Sequence, residues 1–218
     1  MRLRITRYGL RETAVGSAVC VALIVLGALF FWPLAVLGGA LWAALLAFFR
    51  DPERPSPQRP GALLSPADGT VQDVEQVDPP GDFLPGPALR VGIFMSLLNV
   101  HVNRSPVAGT VRYRRHVPGR FHDARSPLAA TENEHCWLGI ELEGGRRVLV
   151  RQVAGTVARR IVCKAAPGDE LAAGQRFGMV KFGSRVELFV PQQDQFQVAV
   201  APGTKVKAGL DILGSYTS

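Results

Sequence analysis

Cysteine is scarce: Cys20, Cys136 and Cys163 are the only three in 218 residues. An odd number with no C-x-x-C spacing argues against a disulfide framework and against a metal or redox pair of that type. Buried free thiols in a reducing compartment fit this usage. Acidic residues are outnumbered, 18 against 25 Lys and Arg, for a net charge of +7. That balance suits nucleic acid, anionic lipid or a solvated basic surface equally well. Aromatics make up only 8% of the chain, and no basic stretch interleaves them as a base-stacking platform does, so nucleic acid is set aside. Charge is missing altogether between Glu12 and Arg50.

That uncharged run marks a membrane segment, Ala14 to Phe49, inside an amino-terminal region of residues 1–50. A cleaved signal peptide has a shorter apolar core, whereas this one continues through Trp32-Pro33. Pro33, with Gly38-Gly39 soon after, predicts a break into two helical legs, although a single kinked span stays open. The second leg, Leu34 to Phe49, reaches roughly 24 Å, somewhat short of a ~30 Å hydrocarbon core. Arg2, Arg4, Arg7 and Arg11 precede the run, and Arg50, Arg54 and Arg59 follow it. Basic flanks on both sides put both ends in the cytoplasm, on the inner face of the cell membrane. DPERPSPQRP, residues 51–60, then reads as an extended Pro-rich linker.

Residues 61–218 read as a β-rich body. SPADGTV at 65–71, SPVAGTV at 105–111 and VAGTV at 153–157 each look like a turn entering a strand. APGDELAAGQRFGMV (166–180) and APGTKVKAGLDILG (201–214) share a P-G-x-x-(L/V)-x-x-G pattern like the hairpins of lipoyl or biotinyl barrels. Strands are predicted at 70–74, 90–95, 110–116, 137–142, 147–153, 156–163, 179–182, 185–190 and 196–200. In 185–190, Val186, Leu188 and Val190 alternate onto one face. The fold class is mainly β, a sandwich or barrel with a lipoyl-like hairpin module, preceded by a membrane helical hairpin.

Between two of these strands VKFGSRVELFVP sets Gly183-Ser184. Taken alone, such a pair is an ordinary two-residue turn. In order along the body, however, stand SPADGTV, FMSLLNVHVNRSPVAGTV (94–111), PGRF (118–121), ENEH (132–135) and GSRVELFVP. This ordered set resembles the short proenzyme type of phosphatidylserine decarboxylase along nearly the whole body. The resemblance implies that Ser184 Oγ attacks the Gly183 carbonyl and that the resulting ester eliminates. Ser184 would then become a covalent pyruvoyl group, splitting the chain into residues 1–183 and 184–218. Gly183 leaves the attacked carbonyl uncrowded. The pyruvoyl would condense with the amine of phosphatidylserine and take up the electrons left by carbon dioxide, with no metal or diffusible cofactor. The product would be phosphatidylethanolamine. Implied partners are phosphatidylserine in an anionic membrane and the chain's own two cleavage products, with homo-oligomerisation left open. Two further Gly-Ser pairs are set aside: Gly214-Ser215 leaves too short a second chain, and Gly16-Ser17 suits helix packing.

The resemblance also nominates helpers. His101 in NVHVN would be the general base, since a hydroxyl is a weak nucleophile unaided, and Asp68 in SPADG would complete a Ser-His-Asp arrangement. By local chemistry alone Asp68 is a turn residue and His101 a core or surface histidine. Longer family members carry a second histidine where Arg104 stands here; a guanidinium cannot act as a base, but it can pair with the substrate's phosphate or carboxylate. Asn133 and Glu134 are further candidate substrate contacts, or else a polar loop. His135 replaces the usual Arg of that phrase. Phe182 is a candidate to pack beside the pyruvoyl or into the core. His116 and His122 default to surface or loop roles. The competing function class is a membrane-tethered lipoyl-like adaptor, with Lys181 in MVKFGS as an ill-fitting modified lysine. A pyruvoyl enzyme acting on a soluble amino acid is opposed by the membrane segment.

Overall fold

The computed structural model describes residues 4–79, 83–84, 86–156, 160–181 and 184–216. The chain divides into two compact units, Met1–Glu53 and Arg54–Ser218.

In the first unit, helices α1 (Leu10–Phe30) and α2 (Trp32–Phe48) form a hairpin. The break falls at Phe31, which is extended at φ −160°, and not at Pro33 or Gly38-Gly39. Pro33 sits in the first turn of α2, where its missing N–H has no intrahelical partner to lose. Small residues let the two helices approach: a Cβ on Gly27 would lie 2.1 Å from the Ala35 nitrogen, and Gly16 faces Leu45. Ser17 Oγ accepts from Trp42 Nε1 at 3.0 Å. The remaining surface is apolar and exposed, including Val15, Val19, Leu29 and Val36. Arg7–Phe30 is the one helix among the described residues long and apolar enough to cross a membrane; α2 is shorter.

The second unit is built on strands β1 (Ala62–Leu64), β2 (Gly69–Val77), β3 (Ala88–Met95), β4 (Val102–Arg104) and β5 (Gly109–Val117). After the short helix α3 (Pro127–Glu132) come β6 (His135–Glu141), β7 (Arg147–Val153), β8 (Ile161–Cys163), β9 (Glu170–Leu171) and β10 (Arg176–Val180). The chain closes with β11 (Ser184–Pro191), β12 (Phe196–Val198), β13 (Lys205–Val206) and β14 (Ile212–Tyr216). The strand predicted at 179–182 begins earlier, at Arg176, because Phe177 is a core residue. Of the stretch 156–163 the described strand is Ile161–Cys163; residues 157–159 lie outside the described residues.

An eight-stranded antiparallel sheet runs β13-β2-β3-β11-β7-β6-β5-β9, and two three-stranded sheets, β1-β14-β12 and β4-β10-β8, accompany it. The order is palindromic by repeat. The SPADGTV turn joins β1 to β2 and the SPVAGTV turn joins β4 to β5, while the P-G-x-x-(L/V) phrases form β13-β14 and β9-β10. Matching backbone details accompany the match: Ser65 Oγ donates to the Ala67 carbonyl at 2.7 Å, as Ser105 Oγ does to Val107 at 2.6 Å. Each half also bulges after its Thr-Val, between Val71 and Asp73 and between Val111 and Tyr113. The axis of this internal duplication passes between β11 and β7. One face of the large sheet carries the main core, with Ile93, Met95, Leu138, Val150, Val186 and Leu188.

Candidate active site

Ser184 opens β11 at the centre of the large sheet and is fully buried. Period-two alternation turns it inward with Val186, Leu188 and Val190. Its cross-strand partner is Met95, and Ser184 Oγ lies 3.4 Å from the Met95 sulfur. The same sulfur receives Asn103 Nδ2 at 3.8 Å, a weak contact for an amide donor. Asn103 Oδ1 accepts from Gln152 Nε2 at 2.8 Å, and Gln152 Oε1 has no hydrogen-bond partner among the described residues. Ser184, Asn103 and Gln152 are all fully buried, so this is an uncharged polar cluster inside an apolar core. Phe182 and Gly183, both candidates from the sequence, lie outside the described residues.

His101, also fully buried, stands two positions before Asn103, on the same side of the extended run that enters β4. Its Nδ1 is 2.9 Å from the Asn99 carbonyl. A carbonyl only accepts, so Nδ1 carries the proton and Nε2 is the basic nitrogen. Asp68 is engaged elsewhere in this arrangement. Arg54 clamps its carboxylate at 2.6 and 2.8 Å, and the Ala208 amide donates to it at 2.8 Å. The Asp68 turn nonetheless abuts β4, through the Arg104 amide donating to the Pro66 carbonyl at 3.0 Å. Arg54 lies in the segment read as a linker; residues 51–59 have no helix or strand, yet Arg54 is a buried partner of the body.

Register through the sheet shows which residues the two halves do not share. Thr70 pairs with Phe94 and Phe94 with Arg185, whereas Thr110 pairs with Glu141 and Glu141 with Arg147. Arg185 therefore corresponds to Arg147, and Ser184 to Arg146. By the aligned S-P turns, Asp68 corresponds to Ala108 and His101 to Gly61. Each of the three residues nominated for chemistry has an unlike residue at the matching position of the other half. Most turn and packing residues repeat, for instance Val71 with Val111 and Val186 with Val148.

The other candidates are tied into the scaffold. Arg104 is buried and donates to the Gly174 carbonyl at 3.1 Å. Asn133 uses its whole amide on the backbone, accepting from His122 N and donating to the carbonyls of His122 and Ala154 at 2.9 and 2.7 Å. Glu134 is half-buried, 3.7 Å from His116, and His122 meets Glu132 at 3.1 Å. His135 packs edge-on against Trp137, and burial pulls its imidazole below the ordinary range. Lys181 is 4% exposed, so it is not a lysine that stands out on a turn as a lipoyl-type modification requires. Cys20, Cys136 and Cys163 are free and buried, as their number and spacing implied.

Behind the junction, on the opposite face of the sheet, a buried ion network joins the central strands. Glu187 accepts from Arg151 and, at 2.7 Å, from Arg185; Arg185 reaches Asp73 at 2.7 Å, and Asp73 also takes Arg90 at 3.1 Å. A cavity of about 480 Å³ opens on this face, lined by Arg90, Tyr113, His135, Trp137 and Arg151 among others, and does not include Ser184.

Sequence reasoning missed Asn103, Gln152 and Arg54. A signal existed for two of them: Asn103 shares the strand phase of His101, and Gln152 is a lone amide in the otherwise apolar inward phase of its strand, after Val148 and Val150.

Residues 41–214 match the family model described as phosphatidylserine decarboxylase. A phosphatidylserine decarboxylase proenzyme of Symbiobacterium thermophilum is 47% identical over 194 residues, covering 89% of each chain. Proteins of the same description are 46% identical in Desulfotalea psychrophila, over 79% of each chain, and 42% identical in Rhodopirellula baltica, over 98% of this chain and 89% of that one. With the matched region spanning Ser184, His101 and Asp68 alike, the chain belongs to the phosphatidylserine decarboxylase family.

Proposed function

We propose that the chain decarboxylates phosphatidylserine to phosphatidylethanolamine, using a pyruvoyl group made from Ser184 by self-cleavage after Gly183. The observation that carries this reading is a buried serine in the middle of the sheet, at a position where the other half of the duplication has an arginine. Its hydroxyl meets the Met95 sulfur, which also receives the Asn103 amide of the buried Asn103–Gln152 pair. As the precursor, Ser184 holds the group covalently. The residues fit it: Asn103 Nδ2 spends its proton on a thioether and is available to a carbonyl or developing oxyanion, while Gln152 Oε1 offers an acceptor to an incoming amine. When formed, the group supplies an electron sink for the departing carboxylate.

The protein's own groups have four tasks. His101 Nε2 takes the Ser184 hydroxyl proton, with Asn99 holding the ring in the required tautomer. Asp68 is retained as the third member, on a turn that abuts β4 through Pro66 and with its carboxylate shared with Arg54. Met95 and Val186 keep water from the site. Arg104, Asn133, Glu134 and Phe182 remain candidate substrate contacts; for Arg104 and Asn133 the hydrogen bonds described above support a scaffold role first. The membrane segment keeps the body at the lipid surface, with the cytoplasmic leaflet favoured by its basic flanks.

The test is release of carbon dioxide from phosphatidylserine by the purified chain, with Ser184→Ala and His101→Ala alongside. The reading expects activity in the parent, none in Ser184→Ala, and at least about a hundredfold slower self-cleavage in His101→Ala. Full activity in Ser184→Ala refutes it, and normal cleavage in His101→Ala refutes the choice of base.

A further inference from the structure

Large apolar side chains are almost fully withdrawn from the surface of the second unit. Among its described residues only Leu97, Leu98, Leu128 and Val198 are exposed, and two of these are consecutive. Leu97 is 53% and Leu98 84% exposed. They form the tip of a turn between Met95, which touches Ser184, and His101.

The turn is built and not loose. The Asn99 amide donates to the Ser96 carbonyl at 3.0 Å, and the Ser96 amide and hydroxyl both donate to Asn99 Oδ1, at 2.8 and 2.7 Å. Val100 and Met95 anchor its two stems in the interior. Asn99 also accepts from His101 Nδ1, so the tip and the base are one hydrogen-bonded piece. At the same end of β3 the Arg125 guanidinium lies 5.6 Å from the Phe94 ring, bringing the segment that leads to exposed Leu128 to the neighbourhood.

Holding two leucines in water is costly, and the hydrogen bonds that expose them leave them little freedom to fold back. We infer that Leu97 and Leu98 form a lipid-inserting tip that seats the mouth of the site in the bilayer interface, so that a phospholipid headgroup reaches Ser184 while its acyl chains stay in the membrane. The occupant is the lipid interface itself. His101 is three positions after Leu98, at most roughly 10 Å of extended chain, which a headgroup can bridge from a lipid still in its leaflet. This inference rests on the decarboxylase reading for its substrate, but not for the insertion.

Two measurements on the full chain reconstituted in phosphatidylserine–phosphatidylcholine vesicles test it. In the first, Leu97→Ser/Leu98→Ser is compared with the parent on vesicles and on a water-soluble, short-chain phosphatidylserine, with self-cleavage followed by intact mass. The expected result is complete cleavage, soluble-substrate kcat/KM within about twofold, and vesicle kcat/KM lower by at least about tenfold. Unchanged vesicle kinetics overturn the inference. So does an equal loss on both substrates, with or without a change of oligomeric state, since that marks a packing or self-association role.

In the second, Leu98→Cys is labelled with a polarity-sensitive fluorophore, the native cysteines being buried. Quenching by lipids carrying a nitroxide near the headgroup is expected; absence of quenching refutes insertion. This arm needs no turnover, so it decides the inference even if the decarboxylase reading fails.

Discussion

Glu187 offers the sharpest test of how the junction strand is held. It is fully buried, three residues after Ser184 and on the other face of β11, where it accepts from both Arg151 and Arg185. Glu187→Gln keeps the shape and removes the charge. Arg185 retains Asp73 and the Gln72 amide oxygen at 3.1 Å, so its loss is partial. Arg151 retains the Ala130 carbonyl at 2.9 Å and its stacking 4.8 Å over Trp137, but no carboxylate among the described partners, leaving a buried cation unbalanced. Breaking a buried pair on one side costs about 3–5 kcal/mol, and the surviving contacts argue for the lower end, about 3 kcal/mol. For a body of this size that corresponds to a fall of roughly 6–12 °C in Tm. The assay is thermal unfolding in a Ser184→Ala background, which keeps every sample a single chain. Adding Arg151→Met should recover part of the loss, because a neutral pair no longer leaves a charge stranded. A Tm for Glu187→Gln indistinguishable from the parent, or strictly additive losses in the double variant, would refute the reasoning.

Two further predictions concern the site's surroundings. Asp68→Asn and Arg54→Ala separate chemistry from clamping: if Asp68 supports His101, Asp68→Asn slows self-cleavage at least about tenfold more than Arg54→Ala, whereas equal rates in the two variants assign Asp68 to the clamp alone. His135 makes stability depend on pH. Burial, seconded by the positive charges of Arg151 and His116, lowers its pKa from 6.5, against the pull of the Asn133 carbonyl and Glu187. The unfolded chain therefore binds the proton more readily, and the contribution of His135, complete above the unfolded pKa, is lost as pH falls. Between about pH 7.5 and about pH 5.5 the unfolding midpoint should drop more steeply in the parent than in His135→Gln, and parallel curves would contradict this.

Much of the fold was legible because its information is local. The S-P-x-x-G-T-V turns and the P-G-x-x-(L/V) hairpins carry their backbone geometry in their own residues, and Val186, Leu188 and Val190 announce a buried face by simple alternation. What the sequence could not carry is pairing at a distance. Asp68 meets Arg54 from a proline-rich stretch with no pattern of its own, and Gln152 finds Asn103 across two sheets. The helix break moved from Pro33 to Phe31 because proline is tolerated in a helix's first turn, which a search for breakers overlooks. The duplication was visible as repeated phrases, but only the strand register turned it into a comparison in which Ser184, His101 and Asp68 are among the residues without a like counterpart.

The most direct test is the intact mass of the purified chain under denaturing conditions. Two species are expected, residues 1–183 ending in a free carboxylate and residues 184–218 beginning with a pyruvoyl group and refractory to amino-terminal sequencing, with Ser184→Ala remaining whole. A single full-length chain from a preparation that releases carbon dioxide from phosphatidylserine would contradict the account.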